Sequence, residues 1–134
     1  MAFDLKFSMA LKNAQQNAIT TTLSTSAVMS LYPAPKPAGP DAAAGVTALV
    51  ALPCSVTLAG AAASGILTLN AITAANASAT GTAAWYRIST SGGTAHIDGT
   101  AGMGTNFDLN MINTSLTSGQ PVSINNFATF TNAN

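Results

Sequence analysis

"WYRISTSGGTAHIDG" (residues 85–99) holds the chain's only Trp, its only His, one of four basic residues and one of four acidic residues. Only 6% of the chain is charged, so reactive side chains concentrate here. Whether this stretch is an active site or one face of a sheet decides how the protein is read. Gly92-Gly93 suits the centre of a two-residue hairpin turn, because both positions tolerate positive φ. That turn sets Ser91 opposite Thr94, then pairs Ser89 with His96, Ile88 with Ile97 and Arg87 with Asp98. A three-residue turn would slip the pairing. In the two-residue register Tyr86, Ile88 and Ile97 share one face, and Trp85, Arg87, Ser89, His96 and Asp98 share the other.

Ser, His and Asp on one face invite a catalytic reading, but the spacing argues against it. His96 and Asp98 are next-but-one on a strand, with Cα atoms about 7 Å apart. A triad needs the carboxylate on one imidazole nitrogen and the serine on the other. Arg87 opposite Asp98 competes for that carboxylate, and Ser89 sits mid-strand rather than on a strained elbow. His96 and Asp98 alone are too few for a metal site. The simpler expectation is a cross-strand Arg87–Asp98 pair worth about 0.2–1 kcal/mol, with Trp85 beside the Arg stem and His96 closing the row. Trp and Arg also anchor interfaces. The candidate structural or interface residues are therefore Trp85, Arg87, His96 and Asp98, joined by Phe127 and Phe130 from "SGQPVSINNFATF". No catalytic, cofactor-binding or metal-binding residue is expected, and the chain does not read as an enzyme.

Outward from the hairpin, glycines and Ser/Asn turns punctuate short apolar segments. Strands are expected at 45–52, 54–59, 65–72, 82–90, 94–98, 106–111 and 121–131. This spacing predicts an all-β chain, an antiparallel sandwich or jelly-roll-like barrel. One helix is expected over 7–19, where Phe7, Leu11, Ala14 and Ala18 recur at helical spacing and Lys12, Gln15 and Gln16 fall away. "TTTLSTS" after it favours extended structure, and "AVMSLY" (27–32) reads as a strand. "PAPKPAGPDAAAG" (33–45) carries four of the six prolines, which favours a stiff extended path. The expected organisation is a helix, strand and Pro-rich arm over 1–44, then a β domain over 45–134. The arm reads as a connector, or as a reach toward a neighbouring subunit.

Composition narrows the function classes. The 134 residues carry four basic and four acidic side chains, for a net charge of zero. That leaves almost nothing to neutralise phosphates, so no nucleic-acid partner is expected. "DGTAGMGTNFDLN" offers glycines but no following helix for a phosphate, and Asp98 and Asp108 match no EF-hand spacing. The uncharged run between Asp41 and Arg87 is broken by Gly45, Pro53, Gly60 and Gly65 and alternates with period two, so it reads as strands and not as a membrane span. Asp4 and Lys6 fall where a signal peptide would be apolar. Cys54, the single cysteine, reads as a buried core thiol. With so few charges, assembly with other proteins is the expected mode of life.

The segment 81–131 adds a resemblance. Its aromatic–Arg–Ile strand, Gly turn, Asp-Gly, Gly-rich step, "SGQPVSI" and aromatic closing strand resemble small virion proteins of tailed bacteriophages. The resemblance implies a capsid decoration or minor capsid protein: a β-rich homo-oligomer on the capsid surface, partnered by the major capsid protein. It also implies synthesis in the host cytoplasm, and no cofactor, membrane or small-molecule substrate. A tail or fibre component is the alternative, as is a glycan-binding β-sandwich module stacking sugars on Trp85 and Tyr86.

Overall fold

The protein is described from a computed structural model, which covers residues 4–124 and 129–131. The elements in chain order are α1 (Met9–Leu23), β1 (Val28–Tyr32), β2 (Val50–Pro53), β3 (Ile66–Thr68), β4 (Ala75–Asn76), β5 (Gly81–Thr82), β6 (Trp85–Ser89), β7 (Ala95–Gly102), β8 (Leu109–Asn110), β9 (Ser115–Leu116), β10 (Pro121–Val122) and β11 (Thr129–Thr131). The chain is mostly strand with one helix, as composition and turn spacing suggest.

A five-stranded sheet in the order β2-β1-β6-β7-β8 forms the centre, curled into a half-barrel. It is mixed: β7 and β8 run parallel, which the expected all-antiparallel pattern did not contain. Three two-stranded ribbons, β10-β4, β11-β3 and β5-β9, complete the pairing. Met29, Leu31, Leu52, Leu67, Ile88 and Leu109 lose all solvent contact in one shared core. Sheet and ribbons both contribute to it.

β1 comes from the first 44 residues, yet it lies between β2 and β6 with four and five residue pairs respectively. The N-terminal segment thus supplies an inner strand of the sheet that 45–134 completes. The Pro-rich stretch does not lead away from the sheet either. It turns back over it, as the hydrogen bonds described below establish.

The hairpin departs from the expected turn in an instructive way. The Thr90 N–H donates to Thr94 O, the Gly93 N–H donates to Thr90 O, both at 2.9 Å, and Gly93 has φ +95°. The loop is therefore three residues, Ser91–Gly92–Gly93, with Gly93 in the left-handed region that glycine enters freely. Ser89 accordingly pairs with Ala95, not His96. A β-bulge then absorbs His96, and Ile88–Ile97 and Arg87–Asp98 pair as expected. The longer loop and the extra residue cancel.

The helix starts where Ser8 caps it, its hydroxyl accepting from the Leu11 N–H at 3.1 Å. It continues through Thr20–Thr22, past the expected end. Burial of Leu23 offsets the modest helical cost of three threonines, and the Thr21 hydroxyl bonds back to Asn17 O at 3.3 Å. Its inward face is also not the expected one. Gln16 and Leu23 are buried, while Leu11, Ala14 and Ala18 of the apolar stripe are exposed. Asn13 Oδ1 accepts from the Gly65 N–H at 2.8 Å, and Asn17 Oδ1 from the Ala62 N–H at 2.7 Å. Part-buried backbone donors need acceptors, and the amide face supplies them where the alanine face has none.

Because β1 is internal, deleting residues 1–44 should abolish cooperative folding. Circular dichroism on heating tests this: the full chain should melt in one sigmoidal transition and the 45–134 fragment in none.

Candidate functional site

The residues expected to matter gather around Arg87, in the middle of β6. Cα register places Tyr32 beside Trp85 and Asp98 beside Arg87. The Tyr32 and Trp85 rings stack with centroids 4.4 Å apart and planes 13° from parallel. The Arg87 guanidinium lies on the same ring system, 5.3 Å from the Trp85 centroid, where the negative face of the ring attracts it. Arg87 Nε donates to Asp98 Oδ1 at 2.7 Å and Nη2 to Asp98 Oδ2 at 2.8 Å. This is the bidentate fork that only a planar guanidinium makes with a carboxylate.

The Pro-rich segment closes over this row. Immediately after β1, Pro33 O accepts the Trp85 Nε1–H at 2.9 Å. Further along, Gly39 O and Ala42 O accept from Arg87 Nη2 at 3.2 and 2.9 Å. Proline lacks an N–H and prevents the segment from forming a ladder of its own, so its carbonyls seek outside donors. Arg87 Nη2 supplies them, its two N–H groups shared among Gly39 O, Ala42 O and Asp98 Oδ2. The segment is thus a strap over its own sheet rather than a connector or a reach to a neighbour.

Under the strap Trp85 is fully buried and the side chains of Arg87 and Asp98 retain 8% and 1% of their exposure. The surface pair expected from the sequence is a buried one. Its hydrogen bonds to Asp98 raise the guanidinium pKa above its ordinary value against the opposing effect of burial. The other face of β6 holds Tyr86, whose ring lies across Gly99: a Cβ there would come within 2.5 Å of ring carbons. Burial pushes the Tyr86 hydroxyl well above its ordinary pKa, with Asp108 and Asp98 adding to the effect.

No known protein family, curated protein or solved structure matches the chain.

Of the six residues singled out from sequence, Trp85, Arg87 and Asp98 are brought together. His96 is not part of that row. It is exposed at the bulge and borders a groove formed with Ala18, Ile19, Thr22, Leu23 and Ile97. Ser89 and His96 are not register partners, and Asp98 is occupied by Arg87, so the three do not form a relay. Phe130 lies on β11 with its Cα opposite Leu67, and Phe127 lies outside the described residues. Asp108 is committed locally, accepting from the Thr100 N–H and hydroxyl at 2.9 and 3.1 Å. Cys54 is buried, which raises its thiol pKa and disfavours the nucleophilic thiolate. Among the described residues no three His, Cys, Asp or Glu side chains converge on one point, and no helix is long and apolar enough to cross a membrane. Tyr32, Pro33, Gly39 and Ala42 were not foreseen as parts of the row. Three of them contribute only a backbone carbonyl, which leaves no mark in side-chain identity.

Two outcomes follow. Arg87→Ala strands a buried carboxylate and two strap carbonyls and should cost about 3–5 kcal/mol, with Arg87→Lys failing to restore it, as read by urea denaturation. The second concerns alkaline pH. The folded state holds the Tyr86 proton more tightly than the unfolded chain, whose tyrosine titrates near 10.0. Stability from this group is therefore complete below that pH and is lost as pH rises above it. The urea midpoint should fall between about pH 8 and about pH 11, and Tyr86→Phe should lessen that fall.

Proposed function

We propose that the chain is a structural protein of a virus particle, a decoration or minor capsid protein that binds the major capsid protein lattice of a tailed bacteriophage as a homo-oligomer. The observation that carries this reading is how the surface is composed. The rare chemistry-bearing residues, Trp85, Arg87 and Asp98, are spent on internal structure. What faces outward is nearly uncharged and includes large apolar side chains, among them Ile112 at 87%, Val56 at 67% and Met103 at 59% exposure. A surface so poor in charge favours contact with other proteins, because interface cores are depleted in charged residues. The likeness of residues 81–131 to small phage virion proteins supports the same reading.

The role is non-catalytic and uses no cofactor, nucleic acid, membrane or small-molecule substrate. The protein is made in the host cytoplasm and ends on the capsid surface. We read the fold as a distorted sandwich of the kind such proteins use, with the five-stranded sheet as one layer and the three ribbons as the other over their common core. A glycan-binding module draws no support from Trp85 and Tyr86, since both are buried.

Purified protein added to phage heads lacking it should co-sediment with them and raise their resistance to heat. Binding to isolated tails instead would move the protein to the tail. Binding to neither would remove the reading.

A further inference from the structure

A helix on a globular domain is held there mainly by the packing of an apolar stripe. α1 has little of one. Of its fifteen residues only Gln16 and Leu23 are buried, and Leu23 is the last of them. Ile19 is half-buried against the core, so apolar attachment is confined to the C-terminal end. Nearer the N-terminus the helix is held by two hydrogen bonds, in which Asn13 and Asn17 accept from the Gly65 and Ala62 N–H groups. Both donors are part-buried and can take water instead, so these bonds are exchanged rather than lost on release. Gln16 Oε1 and Thr20 Oγ1 oppose docking. Both atoms are buried with no hydrogen-bond partner among the described residues. They lie one turn apart on the inward face, and each gives up hydration without return.

The junction with the sheet is strained. Ser24 has φ 60° and ψ −145°, close to a region that is essentially glycine's own. Immediately after it Thr25 bridges Thr57, and the Ser26 N–H donates to Val56 O at 3.1 Å. The strain thus sits where a loosely held element meets a fixed one. α1 also lacks an acidic residue in its first turn and a basic one in its last, so neither end is matched to the helix dipole. A helix of this length is marginal in isolation.

We propose that α1 is a latch that opens on its own: residues 9–23 detach and unwind, with Ser24 as the hinge, while the sheet stays folded. Opening stops there because β1 is held on both sides, by β2 and by β6. It relieves the Ser24 backbone, rehydrates Gln16 and Thr20, and uncovers β3 and the 62–65 backbone, against which α1 packs. The closed form predominates, and the open one is a minor state in exchange with it.

Opening needs no partner, so the isolated chain tests it apart from the capsid reading. Residue-resolved amide hydrogen exchange on the wild-type protein is the first measurement. The α1 amides should be at least about 100-fold less protected than those of β1 and β6. Low urea should accelerate the β1 and β6 amides more steeply than the α1 amides, because local opening exposes less surface. Thr20→Val keeps the side-chain shape and a similar helix propensity while removing an unpartnered hydroxyl, so it should raise α1 protection about tenfold. A thiol reagent gives a second readout. The thiol introduced by Gln16→Cys should be alkylated at least about 100-fold faster than Cys54 of the same molecule, which is buried in the core. Equal protection of α1 and β6, equal alkylation of the two thiols, or a loss of α1 protection in Thr20→Val overturns the proposal.

Discussion

The fork between the Arg87 guanidinium and the Asp98 carboxylate is the contact on which the arrangement depends. It joins β6 to β7 through side chains, and the same guanidinium reaches across to Gly39 O and Ala42 O. A segment dense in proline has little means of fixing itself on a sheet, since it offers few backbone donors and no regular apolar face. One residue with several donors fixes it. The cost is a buried charge, tolerable because the carboxylate and two carbonyls compensate it and an aromatic ring lies alongside. Removal of the guanidinium would leave all of these groups without their donor, so the site is all-or-none rather than a sum of weak contacts.

That constraint explains what the densest cluster of reactive residues is used for. Asp98 is held by arginine, Trp85 by Tyr32 and Pro33, and neither is open to a ligand. Chemistry is left to the surface, and the surface holds mainly hydroxyls, amides, alanine and isolated apolar side chains. The same economy shapes α1, whose amides serve the 62–65 backbone while its alanines face out. Both features leave outward faces poor in charge, and the proposed place in an assembly rests on that surface.

Part of the strand framework was legible in sequence, because glycine turns and period-two alternation act locally: β1, β2, β3, β6, β7 and β8 fall on expected segments, whereas 54–59 makes only isolated bridges and β4 and β9 were not expected. The Arg87–Asp98 pairing was legible too, though for an incomplete reason. A two-residue turn and a three-residue turn followed by a bulge at His96 lead to the same partner, and only residues nearer the loop reveal which occurs. Ser89 is where they differ. The burial of the pair was not legible, because the groups that cover it are backbone carbonyls 45 and 48 residues away. Nor was the inward face of the helix. Periodicity marks an apolar stripe, but here the 62–65 backbone donors, 45 and 52 residues from their acceptors, decide which stripe turns in.

Arg87 is the only arginine in the chain, so its side-chain Nε–H gives a single, unambiguous NMR signal. The most direct test is the rate at which that proton exchanges with water near neutral pH. A buried fork on Asp98 predicts a resolved signal exchanging orders of magnitude more slowly than in an unfolded peptide. Exchange as fast as in that peptide would mean that the guanidinium is open to solvent, and the strap would not be held as described.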